Sequence, residues 1–243
     1  MTNVVIGLVV IALVIAIFWW LFIASEGVYL GPRVVRWLYD LYATRYDKIK
    51  QNDPEQDHAY IAHPLMTRLT QPDPMVLDVA TGTGRLPLTL CSHSEFEGYV
   101  IGLDASEGML KVAEKTILES GCEDMVTLMH RSAEHLLFAD ESFDVVTCLE
   151  ALEFMPDPAS QLAEICRVLR PGGLLLTTQR VRTRLYPGRI WDQAIFRSHL
   201  EVNGIEQVMF IEWQYDYTLV WGRKTGQSEW IGPQMPEDII IQA

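Results

Sequence analysis

Val76-Leu77-Asp78-Val79-Ala80-Thr81-Gly82-Thr83-Gly84 carries the strongest structural signal in this chain. An apolar run holds an acid near its end, and a glycine-x-glycine turn begins four residues after that acid. Such a run reads as a buried parallel strand that delivers the chain to a tight loop and then to a helix. Asp78 falls at the strand's carboxyl end, where open α/β sheets bind their ligands. Gly82 and Gly84 lack a Cβ, so a ligand and the backbone can approach closely. Arg85-Leu86-Pro87 then opens the helix, with Pro87 tolerated in the first turn. A nucleotide-like ligand site is the first expectation.

Outward from this loop, short apolar runs alternate with helical patterns. Strands are expected at 75–79, 99–103, 125–129, 143–149 and 173–178, with helices at 85–92, 107–120 and 158–169. That alternation predicts an α/β fold, a parallel sheet covered on both faces. A further helix is expected near 190–202, closed by Asn203-Gly204. Runs at 207–213 and 217–221 follow too closely for a crossover helix, so they should pair antiparallel at the sheet edge. Upstream, residues 25–70 read as a juxtamembrane helical segment with Val34, Leu38, Leu41 and Tyr42 on one apolar face. The core domain is expected over 71–224, and the polar, Pro-interrupted tail over 225–243 reads as disordered.

Residues 4–24 are 21 consecutive Ala, Val, Ile, Leu, Phe, Trp and Gly residues. A helix of that length rises about 30 Å, enough to cross a bilayer core. Trp19 and Trp20 fall near one end, where amphipathic rings favour the headgroup region. A cleaved signal peptide would carry a charged start and a shorter apolar run, so a permanent single-pass anchor is expected. Arg33, Arg36, Arg45, Lys48 and Lys50 follow the span and no base precedes it, which predicts a cytoplasmic soluble part. The formal net charge of −13 disfavours nucleic acid as a partner. Cys91, Cys122, Cys148 and Cys166 lack CxxC spacing and read as reduced structural thiols, without a metal site.

The loop itself discriminates between nucleotides. A dinucleotide fold wants a third glycine, and here Gly82-Thr83-Gly84-Arg85-Leu86-Pro87 has none. No Gly-Lys-Ser/Thr follows either, so the phosphate-binding loop fails. A carboxylate at Asp78 repels a pyrophosphate and suits an ammonium or a sulfonium. Five segments together resemble the class I S-adenosylmethionine-dependent methyltransferases, and most closely the quinone-biosynthesis C-methyltransferases. These are the 76–84 loop, with Ala80 where many members have glycine; Asp104, ending Val100-Ile101-Gly102-Leu103-Asp104; Arg131-Ser132-Ala133-Glu134-His135-Leu136; Phe143-Asp144-Val145-Val146; and Leu169-Arg170-Pro171-Gly172-Gly173. Tyr46-Asp47 and Gly222-Arg223-Lys224 give weaker echoes.

The resemblance implies a Rossmann-like seven-stranded methyltransferase sheet with an antiparallel edge strand, which the apolar run at residues 4–24 precedes as one expected transmembrane helix. It implies S-adenosyl-L-methionine as cofactor. Asp104 and Ala105 would take the ribose hydroxyls; Ser132, Ala133 and Glu134 the adenine; Asp78, Ala80, Gly82 and Gly84 the amino-acid end. Glu150 would face the sulfonium and the acceptor. Asp104 also reads as a helix N-cap, Glu150 and Glu153 also read as solvated loop acids, and Met109, Met125, Met129 and Met155 read as core filling. Ser132 replaces the family's usual acid, and Phe154 occupies the position of a family histidine, so no catalytic base is named. The Asn/Asp-Pro-Pro-aromatic motif used on planar amino groups is missing.

Arg180, Arg182, Arg184 and Arg189 concentrate positive charge past the fifth strand, where an anionic acceptor group or lipid headgroups could bind. The acceptor implied is a small, lipophilic or membrane-associated molecule, lipid or quinone-like, with the membrane reached through residues 4–24. A non-catalytic S-adenosylmethionine-binding scaffold of a membrane complex is the other expectation, and a nicotinamide-dependent reductase is disfavoured by the missing third glycine.

Overall fold

A computed structural model describes residues 2–50, 52–69, 73–181, 186 and 190–227. The chain begins with α1 (Thr2–Trp19), none of whose side chains is buried in the protein. A π-helical turn, Trp20–Ala24, lengthens it. Ser25 closes that turn: its N–H and its hydroxyl both donate to the Trp20 carbonyl, at 2.9 and 2.8 Å. The whole apolar helix spans 23 residues, Thr2–Ala24, long enough to cross a membrane.

Next come α2 (Pro32–Tyr42), α3 (Tyr46–Lys50), α4 (Pro54–Asp57) and α5 (His63–Met66). Residues 25–66 are thus largely helical, but the apolar face expected on α2 is corrected in one respect. Leu38 is buried and Val34 and Tyr42 are half-buried, whereas Leu41 points outward at 58% exposure, beside Trp37 at 56%.

The sheet alternates with helices as the periodicity requires. Its elements are β1 (Met75–Val79), α6 (Arg85–Cys91), β2 (Tyr99–Asp104), α7 (Glu107–Glu119), β3 (Val126–His130), β4 (Phe143–Cys148), α8 (Pro158–Val168), β5 (Leu169–Arg180), α9 (Gln193–Val202), β6 (Ile205–Glu212) and β7 (Tyr217–Lys224). The seven strands lie in the order β3-β2-β1-β4-β5-β7-β6. Strands β1 to β5 pair in parallel, and β7 runs antiparallel to both β5 and β6. The two runs expected at the edge therefore do pair antiparallel there, with β7 threaded between β5 and the outermost β6. β5 starts earlier than expected. Leu169 already pairs with Phe143, and an irregularity between Phe143 and Val145 absorbs the Pro171-Gly172 kink in the ladder.

Alternation along β1 divides the core. Met75, Leu77 and Val79 face one layer, with Leu162 and Ile165 of α8 and Phe196 and Leu200 of α9. Val76 faces the other, with Leu86 and Leu90 of α6, Ala113 and Ile117 of α7, and Ile61 and Leu65 from the N-terminal segment. A side-chain period of two gives Asp78 the same face as Val76. Strand order reverses between neighbours β1 and β4, so their carboxyl ends open a crevice, the usual ligand position in such sheets. All four cysteines are free thiols. Of the expected disordered tail, residues 228–243 lie outside the described residues.

Candidate active site

The loop after β1 is built on left-handed backbone. Ala80, Gly82 and Gly84 have φ of +60°, +57° and +85°. An alanine at such a φ carries strain that glycine does not, which explains why glycine suits position 80. The two glycines serve different ends. A Cβ on Gly84 would stand 3.3 Å from the Ala113 Cβ, so Gly84 lets the loop settle on α7. A Cβ on Gly82 would meet nothing within 4 Å, so Gly82 keeps its face of the loop open to the crevice.

Asp104, at the tip of β2, ties two loops together. Its Oδ2 accepts from the Gly82 N–H and its Oδ1 from the Ser106 N–H, both at 2.8 Å. It is not the N-cap of α7. Ser106 is, accepting from the Met109 N–H at 3.1 Å. Burial raises the Asp104 pKa, and the backbone donors Ser106, Gly82 and Ala105 oppose that rise. Two N–H bonds leave an ionised carboxylate with acceptor capacity for a ligand's hydroxyls.

Asp78 is buried and accepts from the Thr147 hydroxyl on β4 at 2.6 Å. Burial pushes its pKa up to about 6, against the lowering effect of the Thr147 hydrogen bond. Among the described residues Asp78 forms no ion pair, although the charge of Arg85 lowers its pKa, so a bound ammonium would stabilise the ionised carboxylate.

These residues border two adjoining spaces. The larger, about 870 Å³ with its open mouth, is lined by Ala80, Gly82, Asp104, Ala105 and the 131–134 turn. The smaller, about 420 Å³, holds Asp78, Thr81, Thr83 and Arg85. Ala80, Gly82, Glu150 and Tyr46 line both. Gly84 is the one expected site residue that lines neither. In the 131–134 turn the Ser132 hydroxyl accepts from the Glu134 N–H at 3.3 Å, holding the turn against the mouth. The opposite wall carries Tyr39, Phe154, Met155 and Pro156, so Phe154 replaces a polar group with a ring packed edge-on against Tyr39 and Tyr186. Met109 is core filling as expected, whereas Met155 packs on the core and also lines the cleft.

Glu150 departs from expectation. Its two oxygens take Lys50 Nζ and the Arg85 guanidinium, each at 2.8 Å, and Arg85 also makes a two-pronged pair with Asp57. Burial would raise the Glu150 pKa, but Lys50 and Arg85 outweigh it and hold the carboxyl below its usual range. The acid is neither solvated nor free to face a sulfonium alone: it is the centre of an Asp57–Arg85–Glu150–Lys50 chain. Glu153 is not solvated either. It is buried, accepting from the Tyr217 hydroxyl at 2.6 Å and pairing with Arg180. Arg180 is correspondingly withdrawn from any acceptor role, its guanidinium stacked 4.2 Å from the Tyr186 ring centroid. Arg182, Arg184 and Arg189 lie outside the described residues.

The N-terminal segment supplies residues that pattern reading passed over. Asp40 accepts from the Ser106 hydroxyl and the Gly108 N–H, Asp47 accepts from the Thr83 hydroxyl at 2.6 Å, and Lys50 reaches Glu150. The Tyr46-Asp47 echo was the available signal for this. Among the described residues lining the cleft there is no histidine.

The fit to S-adenosylmethionine rests on this set: an open Gly82 face, an acceptor at Asp104, an anionic recess at Asp78 and a half-open turn at Ser132. Comparison with known proteins agrees. Residues 77–177 match the family model described as a methyltransferase domain. The demethylmenaquinone methyltransferase of Lactiplantibacillus plantarum is 36% identical over 143 residues, 58% of this chain and 60% of that protein. The ubiquinone/menaquinone biosynthesis C-methyltransferase UbiE of Francisella philomiragia is 38% identical over 104 residues, 43% of this chain and 42% of that one. The chain thus spans about half the length of these curated relatives. Magnesium protoporphyrin IX methyltransferase of Synechocystis PCC 6803, solved with bound S-adenosylmethionine, superposes with a TM-score of 0.57 at 20% identity, covering 71% of this chain and 80% of that one. Loop, sheet order and matched segment converge: residues 77–177 form a methyltransferase domain of the class I S-adenosylmethionine-dependent type, with S-adenosylmethionine as its cofactor.

Proposed function

We propose that this chain is a membrane-anchored enzyme that methylates a lipophilic, quinone-like acceptor from the cytoplasmic face. The observation that carries the reading is a connection: Pro32, Val35, Tyr39 and Tyr46, on the helices that follow the apolar Thr2–Ala24 helix, line the same cleft as Ala80 and Gly82 of the glycine loop. The relatives named for demethylmenaquinone and ubiquinone/menaquinone methylation support a quinone-like acceptor. Basic residues 33, 36, 45 and 48 beyond the span support the cytoplasmic side.

The cofactor supplies an electrophilic methyl on a sulfonium. In this chain Asp104 and Ala105 take the ribose, Ser132, Ala133 and Glu134 border the adenine, and Asp78 with the Ala80–Gly82–Gly84 loop takes the ammonium end. Glu150 keeps Arg85 and Lys50 paired at the recess, so no uncompensated cation repels the donor. Aromatic and apolar walls orient the acceptor and exclude water. When bound, the cofactor would give its methyl to a ring carbon of the reduced hydroquinone, its sulfur keeping the electron pair of the broken S–CH3 bond and the ring proton leaving to solvent. The reduced ring is electron-rich enough to attack without a fixed base, which agrees with Phe154 standing in the family histidine's place.

The test is turnover by the detergent-solubilised full chain of methyl-labelled S-adenosylmethionine with a chemically reduced, prenylated naphthoquinol. Label in the quinol and stoichiometric S-adenosylhomocysteine are expected. Cofactor binding without label transfer to this quinol or to any component of a membrane extract would overturn the enzymatic reading in favour of a scaffold.

A further inference from the structure

If the acceptor comes from the bilayer, it needs a path to the cleft, and a second cavity lies where such a path would run. A space of about 750 Å³, its open mouth included, lies between the end of the apolar helix and α2–α3, walled by Phe22, Ile23, Leu38 and Ile49. Phe22 and Ile23 belong to the apolar helix itself. Ile23 and Ile49 are 52% and 60% exposed, so the outer rim is open and apolar. Inward, the cavity shares Tyr39 and Tyr46 with the cofactor cleft.

Tyr46 lines this cavity, the cleft and the Asp78 recess alike. Its ring thus stands at the junction of lipid side, cofactor side and amino-acid recess. The two charged groups in the apolar cavity are already satisfied. Glu26 accepts from the Tyr39 hydroxyl at 2.8 Å and from the Tyr186 hydroxyl at 3.3 Å, and Lys50 is paired with Glu150. An apolar guest therefore meets no unpaired charge. A water-soluble acceptor gains nothing from Phe22, Ile23 and Ile49, whereas a flexible hydrocarbon chain buries its length against them.

We propose that this cavity holds the hydrocarbon tail of the acceptor, with the acceptor's ring beside Tyr46 in the cofactor cleft. The apolar helix is then more than a tether: its last turn forms part of the substrate site. This inference rests on the quinone-like acceptor reading, and its test separates the two.

The full chain in phosphatidylcholine nanodiscs is given two reduced naphthoquinols, one carrying a tetraprenyl tail and one tailless. A wild-type kcat/KM about tenfold or more in favour of the tailed quinol is expected, the scale on which an apolar pocket discriminates. Ile49→Trp, which fills the cavity, and Ile23→Glu, which charges its rim, should each lower kcat/KM for the tailed quinol by about tenfold. Both should leave the cofactor Kd and the tailless rate unchanged, which excludes misfolding. Equal loss on both quinols, or no loss on the tailed one, overturns the tail site; so does a wild type indifferent to the tail, as expected if a phospholipid acyl chain fills the cavity. Failure of the wild type on both quinols overturns the acceptor reading instead. The cavity is then read without turnover, by photo-crosslinking a tail-end diazirine probe. Adducts at Phe22, Ile23 or Ile49 that are lost in Ile49→Trp support the site, and adducts only elsewhere overturn it.

Discussion

Asp40 and Ser106, 66 residues apart, share a hydrogen bond that joins the segment following the apolar helix to the cofactor cleft. The Ser106 hydroxyl donates to Asp40 Oδ1 and accepts from the Met109 N–H, so one side chain both caps α7 and receives α2. Asp40 Oδ1 also accepts from the Gly108 N–H at 2.9 Å, and a Cβ on Gly108 would stand 2.9 Å from the Asp40 Cα. The two helices are therefore in backbone contact, and the Ser106 N–H in turn holds Asp104.

Replacing Asp40 by Ala removes an acceptor that, though itself exposed, serves two donors at a helix start. A loss of about 1–2 kcal/mol in unfolding free energy is expected, the scale of a helix-cap deletion. Because Ser106 positions Asp104, cofactor affinity should fall as well. Urea denaturation and calorimetric titration of the same variant check both, and an unchanged cofactor Kd would show the two helices to be joined without consequence for the site.

Asp104→Asn keeps the shape of the side chain but supplies one oxygen for the two N–H donors of Gly82 and Ser106. One loop contact is lost, along with the charge proposed to accept the ribose hydroxyls. Cofactor Kd should rise by about tenfold or more, corresponding to roughly 1.4 kcal/mol, with little change in the acceptor's KM. Asp104→Glu should not rescue, since one added methylene displaces both bonds at once.

What was legible in the sequence was the part encoded by period and turn chemistry. The β1 run, the 80–84 loop and the acid ending β2 follow local rules, and the structure places Asp78, Ala80, Gly82, Asp104, Ala105, Ser132, Ala133, Glu134 and Glu150 around the two adjoining spaces. What was not legible depends on long-range pairing. Nothing local says that Glu150 meets Lys50, 100 residues away, or that Arg85 meets Asp57. Leu41 satisfied the helical period and still faces outward, because periodicity counts faces without saying which one finds a partner. Gly84, expected at the ligand, lines neither space and makes room for Ala113.

The Asp57–Arg85–Glu150–Lys50 chain gives a test of the structural role of Glu150. The side chains of Lys50 and Arg85 are 22% and 16% exposed, and that of Glu150 only 6%. Removing the central acid leaves Lys50 largely buried without its carboxylate, beside an Arg85 held by Asp57 alone. Glu150→Ala should therefore cost about 3 kcal/mol or more, the scale of breaking a buried pair from one side. Lys50→Met should cost less, since Arg85 still neutralises Glu150. The double variant Lys50→Met/Glu150→Ala should recover part of the loss. Strict additivity of the two single losses, measured by chemical denaturation, would show that the pair is not coupled.

Asp78 sets a pH dependence whose sign follows from its burial. Its pKa stands at about 6 in the folded protein, against about 4 for an unfolded aspartate. The folded state therefore holds a proton that the unfolded state has released between those values. This group's contribution to stability is full below about pH 4 and is lost as pH rises through about 6. Cofactor binding runs the other way. A bound ammonium favours the ionised carboxylate, so affinity should increase as pH rises from about 5 to 7, with proton release on binding in that window. Asp78→Asn removes the titrating group. It should flatten both profiles across this range and weaken cofactor binding at pH 7 by about tenfold, through the lost charge. Calorimetric titration in buffers of different ionisation enthalpy reads the released proton directly. The same proton count in wild type and Asp78→Asn would assign the titration to another group.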